Sequence, residues 1–336
     1  MTMIELHHPP PAATPLLRAV VTLTPAPAID HVFFVDTLTG GAVHRANRVR
    51  VSLAGKGLNV ARNLSAAGGI ARAIYPLAAD DRATLGPACG EDVSVAVPWS
   101  ARVNAVIAGR DGTTTNINAA AHPLSQDEWA RCMSASLRSA LAIGAEWLVI
   151  AGTLPKMESG APIDLLPLLT IMRSRGIAVA LDTSGEELAR CLTALAPIEL
   201  VKPNVLELAQ FARRPIRTIG DAVDAARELQ RAGVARVLVS LGADGALLVS
   251  RRAVSWTQSP PVPVVNTTGA GDAMLAGFVG TSPGLGATRA QGIEALRRAV
   301  TWGTLAVQHE TATLTSVSDD ESMVVREPER RYVLRS

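Results

Sequence analysis

The chain has 336 residues, 48% of them hydrophobic and 3% aromatic, which is enough for one large α/β domain with an insert or for two domains. Its 32 basic and 30 acidic residues leave a net charge of +2, which argues against a surface for nucleic acid or anionic membranes. Three scattered cysteines form no CxxC pair, and no apolar run reaches the ~18 residues of a membrane span, so we expect a soluble, cytoplasmic α/β enzyme.

The N-terminal part predicts a leader, a first strand and two patches of short strands. Residues 1–16 are rich in proline, histidine and alanine, and we expect a disordered leader that lacks the basic segment of a secretion signal. A strand is expected from Leu17 through RAVVTLTP, and loose alternation over 31–53 and 102–121 indicates short strands. Between these patches, GKGLNVARNLSAAGG predicts a helix that begins at a glycine-rich turn.

After Leu124 the pattern becomes a regular alternation of strands and helices. Ser125 and Glu128 have the spacing of a capping box. Apolar residues then recur every four positions, which predicts one buried helix face: Trp129, Met133, Leu137 and Leu141. Strands are expected at EWLVIAG, IAVALD, ELVKP, ARVLVSLG and ALLVS, and helices at PIDLLPLLTIMRSRG, EELARCLTAL, TIGDAVDAARELQRAG, GAGDAMLAGFVG and GIEALRRAVTWGTLAVQ.

This alternation predicts a mostly parallel sheet that is covered by helices on both faces. The two early patches do not follow it, so we expect them to form a small separate sheet. Ligands of such open sheets bind beyond the carboxyl ends of the strands. The loops at those ends are therefore the places to look for chemistry.

The strongest functional segment is NTTGAGDA at 266–273. Small residues before a helix leave backbone N–H groups unhindered, so an anion can bind at the helix N-terminus. Asp272 then falls in the first turn, where a carboxylate can accept a hydroxyl proton as a general base. The alternative is an ordinary loop with an acidic residue that favours the start of a helix.

Two segments at strand ends have both a functional and a structural interpretation. In KPNVLE, Asn204 and Glu207 lie on one side of a first helical turn and can hold a Mg²⁺–phosphate unit through its water shell. The same two residues are equally explained as an N-cap and its capping-box partner. In SLGADG, which runs from Ser240 to Gly245, glycines permit close approach to a flat ligand, although a hairpin turn explains the same letters.

Two N-terminal features are weaker on their own. AGKGLN at 54–59 places glycine-flanked polar groups at a helix entry, which suits a sugar hydroxyl or a tight turn. Asp30 is expected to end the first strand, where a lone carboxylate usually serves as a cap. Because Lys56 is followed by glycine, the segment is not a Walker nucleotide site.

Taken together, AGKGLNVARNL, ELVKPNVLEL, VSLGADGALLV and NTTGAGDAMLAGF resemble, in order and spacing, the motifs of the ribokinase-like PfkB carbohydrate kinases. The resemblance extends roughly from Val20 to Leu314. TLTPAPAID and GAVHRANRVRVSLAGKGLNVAR are similar to the hexose-phosphate branch, which holds 1-phosphofructokinases, minor 6-phosphofructokinases and tagatose-6-phosphate kinases. The resemblance implies a three-layer α/β/α kinase domain over 17–315 with a β lid, a C-terminal tail over 316–336, and a homodimer formed through the lid.

The resemblance also implies roles for individual residues. Asp272 is the expected catalytic base, and the expected anion hole for the transferring phosphoryl group is Gly269, Ala270 and Gly271. Mg²⁺ is expected at Asn204 and Glu207, and the nucleotide at Lys202, Ser240, Gly242 and Gly245. The sugar phosphate is expected at Asp30, Gly55, Lys56, Asn59 and Arg102, with Arg45 as a further cation for its phosphate.

These roles predict ATP-dependent phosphorylation of a ketohexose monophosphate to the bisphosphate, with fructose 6-phosphate, fructose 1-phosphate or tagatose 6-phosphate as acceptor. Arginine suits the existing phosphate because its planar fork donates two parallel hydrogen bonds. One alternative is a PfkB-type kinase of an unphosphorylated sugar or a nucleoside. Another is a sugar-phosphate-binding protein with vestigial catalysis, because residues 78–81 lack the family's glycine turn and 119–121 replace its E-P-G.

Overall fold

The computed structural model describes residues 17–111, 113–183, 185–192, 198–314, 317 and 323–335, with only the backbone at 185 and 186. The expected leader, 1–16, lies outside these residues, as do the end of the expected helix EELARCLTAL and parts of the expected tail. Within the described ranges, no helix combines the length and the apolar character needed to cross a bilayer.

The strands, in chain order, are β1 (Val20–Leu23), β2 (Ala28–Val35), β3 (Arg48–Ala54), β4 (Ala71–Leu77), β5 (Asp92–Ala96), β6 (Arg102–Gly109), β7 (Thr114–Ile117), β8 (Trp147–Ala151), β9 (Ala178–Asp182), β10 (Leu200–Val201), β11 (Arg236–Ser240), β12 (Ala246–Ser250) and β13 (Val254–Thr257). The helices are α1 (Lys56–Ala66), α2 (Ala79–Leu85), α3 (Gln126–Ala142), α4 (Leu166–Ser174), α5 (Gly185–Leu192), α6 (Val205–Ala212), α7 (Ile219–Arg231), α8 (Ala270–Thr281) and α9 (Arg289–Ala306).

In the described part of the chain, nine strands form one sheet in the order β13-β12-β11-β10-β9-β8-β1-β4-β5. The pairs from β5 to β11 are parallel, whereas β12 and β13 are added antiparallel. Along the chain, β4 and β5 are added on one side of β1, and β8, β9, β10 and β11 are added on its other side. The strand order therefore reverses between β1 and β8. Such a switch point opens a crevice at the carboxyl ends of the strands.

The buried side chains of the described residues form two clusters, one on each face of this sheet. Alternate residues of β8 show the division: Leu148 and Ile150 pack with α3, α4, α6 and α7, whereas Trp147 and Val149 pack with α1, α8 and α9. This arrangement confirms the predicted three-layer α/β/α fold with a mostly parallel sheet.

A second, four-stranded sheet has the order β3-β2-β6-β7 and forms the predicted lid from the two early patches. Asp30 belongs to β2 in this sheet, where it pairs with Ser52 and Asn104. The expectation that Asp30 ends the first strand is therefore wrong. That strand ends at Leu23, because the prolines of the following segment TPAP cannot donate to a ladder.

Helix α3 begins with the predicted capping box, in which Ser125 Oγ accepts from the Glu128 N–H at 3.2 Å. The predicted face along every fourth residue is wrong at its end, because Leu141 is exposed. A helix turns 100° per residue, so each four-residue step drifts by about 40°. The buried stripe alternates steps of three and four instead: Trp129, Cys132, Ser136 and Ser139.

Helix α4 starts later than the sequence PIDLLPLLTIMRSRG predicts. It begins at Leu166 with a proline in its first turn. Before it, Pro162 forms an isolated antiparallel bridge with Lys156, and the Asp164 carboxylate accepts a hydrogen bond of 2.9 Å from the Leu166 N–H. The helix still ends as predicted, before Gly176 in the left-handed conformation.

Candidate active site

The N-terminus of α8 faces the crevice at the carboxyl ends of the parallel strands. Gly269 is its N-cap with φ 85°, and a Cβ atom there would lie 2.7 Å from Ala312 Cα, so only glycine fits. Its carbonyl accepts from the N–H groups of Asp272 at 3.0 Å and Ala273 at 2.9 Å. The first helical N–H groups, those of Ala270 and Gly271, form the end of the helix that favours an anion.

Asp272 lies in the first turn of α8 with 7% of its surface exposed. Its Oδ2 accepts a hydrogen bond of 2.8 Å from Asn59 Nδ2 at the start of α1. Burial raises the pKa of Asp272 to about 6, and the charge of Asp182 adds to the increase, while Lys56 and Asn59 oppose it. The side chain is thus suited to accept a proton near neutral pH.

Asp182, which the sequence analysis did not select, is the centre of a buried charge cluster. Its carboxylate is fully buried at the end of β9, with Oδ1 2.9 Å from Lys56 Nζ and Oδ2 3.1 Å from Lys202 Nζ. Burial alone would raise the pKa of Asp182, but the two ammonium groups outweigh it and hold that pKa below its ordinary value. The carboxylate at the end of the predicted strand IAVALD was the available signal.

The two lysines of this cluster occupy different places from each other. Lys202 is buried, and a Cβ atom at position 271 would lie 3.2 Å from its Nζ, so its ammonium is beside the start of α8. Lys56 Nζ lies between Asp182 and Glu207, 3.5 Å from Glu207 Oε1. The structure therefore brings Lys56 to the centre of the site and beside the pair expected to organise Mg²⁺, and not to Arg102.

The entry to α1 depends on its glycines. A Cβ atom at Gly57 would lie 3.2 Å from the carbonyl oxygen of Leu23, so the helix can approach the end of β1 only with glycine there. At Gly55 a Cβ atom would contact the side chain of Thr24. This close approach carries Lys56 and Asn59 into the crevice. The tight turn at these glycines is therefore compatible with the alternative interpretation, in which the segment binds a sugar hydroxyl.

Asn204 and Glu207 form the capping box of α6. Asn204 Oδ1 accepts from the Glu207 N–H at 2.8 Å, and Glu207 Oε2 accepts from the Asn204 N–H at 2.9 Å. Glu207 Oε1 stays outside the box and the side chain is 16% exposed, so it can accept from the water shell of a Mg²⁺ ion. No group of three His, Cys, Asp or Glu side chains that could hold a metal ion occurs among the described residues.

The turn after β11 lies next to this capping box. The Ser240 N–H donates to the Pro203 carbonyl at 3.1 Å, and Ser240 bridges to Asn204. Ser240 also pairs with Ala246 across an antiparallel hairpin, so the hairpin interpretation of these letters is confirmed. Gly245 is needed for packing, since a Cβ atom there would lie 2.8 Å from Gln258 Cα, whereas Gly242 faces open space.

On the lid, Asp30 and its neighbours form a charged face. Asp30 Oδ1 accepts from Asn104 Nδ2 at 2.9 Å, and burial raises the pKa of Asp30 against the influence of nearby arginines. Arg102 donates to the Ala119 carbonyl at 3.0 Å and to Thr153 Oγ1 at 3.4 Å. Its buried Nε has no hydrogen-bond partner among the residues that the structure describes.

A second lid arginine close to Asp30 is Arg50, which the sequence analysis did not select. Arg45, the further cation expected for the phosphate, is exposed in the connection before β3. The positive charge of Arg50 lowers the pKa of Asp30. The buried Nε of Arg50, like that of Arg102, has no hydrogen-bond partner within the described ranges. The alternation RVRVSL, which places Arg50 and Ser52 on one face of β3, was the signal for it.

The segment 78–81, which departs from the family's glycine turn, forms the start of α2. The Asp81 Oδ2 atom accepts a hydrogen bond of 2.8 Å from the Ala101 N–H, directly before Arg102. The segment 78–81 therefore supports the strand that carries Arg102.

Residues 20–319 match the model of the pfkB family carbohydrate kinases. The 1-phosphofructokinase of Rhodobacter capsulatus is 34% identical over 268 residues, which cover 77% of this chain and 82% of that protein. The 1-phosphofructokinase of Escherichia coli K12 is 32% identical over 274 residues, covering 78% and 83%. The crystal structure of Escherichia coli phosphofructokinase-2 in complex with fructose-6-phosphate matches with a TM-score of 0.74 and 29% identity over 87% of this chain and 94% of that one. The chain therefore belongs to the pfkB family of carbohydrate kinases, phosphotransferases that act on an alcohol group.

Proposed function

We propose that this kinase transfers the γ-phosphoryl group of ATP to a hydroxyl of a ketohexose monophosphate and so makes the bisphosphate. The observation that carries the proposal is Asp272, a buried carboxylate of pKa about 6 in the first turn of a helix whose N-terminus accepts anions. The names of the relatives, 1-phosphofructokinase and phosphofructokinase-2 with fructose-6-phosphate, support this class of acceptor.

In this mechanism Asp272 accepts the proton of the attacking hydroxyl while the phosphoryl group moves in line. The Ala270 and Gly271 N–H groups, with the Lys202 ammonium beside them, stabilise the charge on the phosphoryl oxygens. Asn59 holds the Asp272 carboxylate in place through their hydrogen bond. Catalysis of this kind depends mainly on positioning and on charge stabilisation.

On the acceptor side, Arg102 and Arg50 bind the phosphate already present on the sugar. Both guanidinium groups act electrostatically on Asp30, and both residues are partly exposed, so their positive charge is available to a phosphate at this face of the lid. Asp30 and Asn104 then hold sugar hydroxyls. The lid that carries these residues excludes water, which otherwise competes as an acceptor.

On the donor side, the nucleotide lies along Ser240 and Gly242, where the open glycine turn follows the end of β11. Asn204 and Glu207, next to that turn, hold the water shell of Mg²⁺. The ion, when bound, neutralises charge on the ATP phosphates. Lys56 links this side of the site to Asp182.

We also propose that the kinase is a homodimer formed through the lid. The face of the lid opposite to Asp30 exposes four large apolar side chains, with Val49 50%, Val51 47%, Val103 49% and Ile117 60% exposed. An exposed patch of this kind is typical of an interface. Light scattering should give the mass of two chains, and Val51→Glu with Val103→Glu should give one. A monomeric wild type, or a doubly substituted chain that stays dimeric, would contradict the lid interface.

The proposed reaction is tested by ADP release with Mg-ATP against a panel of acceptors: fructose 6-phosphate, fructose 1-phosphate, tagatose 6-phosphate, fructose, ribose and adenosine. Turnover with one phosphorylated ketohexose and not with fructose is the expected result. Turnover only with an unphosphorylated compound would exclude the phosphate-binding role of Arg102. ATP binding without turnover on any acceptor would favour a vestigial sugar-phosphate-binding protein.

A further inference from the structure

The C-terminal residues 323–335, here called the strap, lie along the kinase domain. At one end, the Trp256 N–H donates to the Arg326 carbonyl at 2.8 Å and the Arg326 N–H donates back at 2.9 Å. Further along, the Arg330 and Tyr332 carbonyls accept from the first N–H groups of α7, those of Gly220 and Ile219, at 2.9 and 3.0 Å. The strap thus joins β13 to the start of α7 by backbone hydrogen bonds.

The end of the strap supplies the partners of a buried carboxylate, Asp244, which lies in the turn after β11. The Asp244 side chain is fully buried. Its Oδ1 accepts from Tyr332 Oη at 2.8 Å and from Arg335 Nε at 2.7 Å, and its Oδ2 accepts from the Arg335 N–H at 2.7 Å. Arg335 Nη2 also donates to the Ala243 carbonyl at 3.0 Å. The Arg335 side chain is itself 57% exposed, so the strap provides both these donors and the cover over a carboxylate that lies close to the surface.

A second layer of contacts fixes the strap against the hairpin. The Tyr332 ring packs on the Trp256 ring with centroids 4.9 Å apart, and Trp256 Nε1 donates to the Asp244 carbonyl at 2.9 Å. Gln258 Nε2 donates to Tyr332 Oη at 3.1 Å. Burial alone would raise the pKa of Asp244, but Arg335 and Tyr332 outweigh it and hold that pKa below its ordinary value.

The turn held in this way is the one that faces the nucleotide side of the site. It starts directly after Ser240, which bridges to Asn204, and it contains Gly242. The match to the family ends at residue 319, so the strap follows the part of the chain that the family model describes. An element outside that domain therefore supplies side-chain donors to a turn inside it.

We propose that the strap is a positioning element for ATP, in which Arg335 and Tyr332 hold Asp244 and thereby keep the turn at 242–244 in the shape that binds the nucleotide. The inference rests on the proposed function only in assigning this turn to the nucleotide. Arg335 is a positioning residue, because it acts through Asp244 and touches no substrate in this scheme.

The test compares Arg335→Gln with Arg330→Gln, a matched change in the same strap. Arg330 pairs with Asp224 on α7, and both side chains are more than half exposed, so its loss should change little. We expect Arg335→Gln to raise the KM for ATP roughly tenfold, as for a turn that is competent about a tenth of the time. The kcat and the KM for the sugar phosphate should stay within about twofold. Arg335→Lys should recover part of the loss, because it keeps the charge.

ATP binding measured by calorimetry separates this inference from the proposed reaction, since it needs no turnover. Weaker ATP binding by Arg335→Gln would support the positioning role of the strap even if the proposed sugar acceptor is not the substrate. If the wild type turns over and Arg335→Gln has unchanged ATP binding and an unchanged KM for ATP, the positioning role of the strap is refuted while the proposed reaction stands. A lowered Tm with equal rises in both KM values, or the same effect in Arg330→Gln, would also overturn it. A chain ending at residue 328, which keeps the buried Met323, should repeat the ATP defect.

Discussion

Asn59 Nδ2 donates a hydrogen bond of 2.8 Å to Asp272 Oδ2, which joins two residues 213 positions apart in the chain. The amide oxygen of Asn59 accepts from Arg62 Nη1 at 3.3 Å, so the amide is turned with its donor toward the carboxylate. A donor favours the ionised form of a carboxylate, whereas burial favours the protonated form. The pKa of Asp272 is therefore set by opposed effects: burial and the charge of Asp182 raise it, and Lys56, Asn59 and Lys202 lower it. The donor of Asn59 and the charge of Asp182 can each be removed by a single substitution.

Replacing Asp272 by asparagine should remove the general base while leaving the shape of the site. We expect Asp272→Asn to lower kcat by roughly 10²- to 10⁴-fold with little change in the KM for ATP. The matched control is Asp127→Asn, because Asp127 is exposed on α3 and pairs with its helical neighbour Arg131. Activity of Asp272→Asn within threefold of the wild type would refute the assignment.

The pH dependence of kcat/KM should report the pKa of Asp272. Because the base acts only when ionised, kcat/KM should rise with pH through about 6 and level off above it. Asn59→Leu removes the donor that lowers this pKa, so the acid limb should move to higher pH. An acid limb that stays in place in Asn59→Leu, while the wild-type limb lies near 6, would contradict the coupling of the two residues.

Asp182→Asn should affect both stability and the pH profile. It leaves the Lys56 and Lys202 ammonium groups without their shared carboxylate, and breaking a buried ion pair typically destabilises a fold by about 3–5 kcal/mol. The pKa of Asp182 is lowered in the fold, so its stabilisation is present above the ordinary pKa of 3.8 and is lost as the pH falls through the lowered value.

The same substitution removes a negative charge that raises the pKa of Asp272. The acid limb of Asp182→Asn should therefore move to lower pH, opposite to that of Asn59→Leu. Urea denaturation at pH 7.5 and the pH profile check the two effects independently. Unchanged stability at pH 7.5 would be incompatible with the charge cluster as described.

Arg102→Gln tests which acceptor the lid binds. Losing a charged hydrogen bond of about 1.5–3 kcal/mol should raise the KM for a phosphorylated ketohexose by roughly 10- to 100-fold. The KM for ATP should stay the same, as should any weak activity on free fructose. Arg48→Gln is the matched control, since Arg48 is exposed on the same sheet and pairs with Glu310. Equal increases in the KM for fructose and in the KM for its phosphate would show that Arg102 does not bind the phosphate.

The sequence by itself determined the features that depend on neighbours along the chain. The capping boxes at Ser125 and Asn204 arise within one helical turn, and so does the position of Asp272 after its glycines. The alternation of strands and helices predicted the parallel sheet, because the spacing of apolar residues that marks each strand or helix is a local property of the chain. The family followed from four such local segments in order.

Only the tertiary structure decided which side chains meet. Asp182 contacts Lys56, 126 positions away, because the ends of parallel strands converge at an edge whose strand order no local pattern encodes. The same holds for the membership of Asp30 in the lid and for the position of Arg50 on the face that carries Asp30, both of which depend on sheet register. The strap shows this most clearly, because Arg335 contacts Asp244 across a separation of 91 residues. No local sequence pattern in either segment predicts this contact.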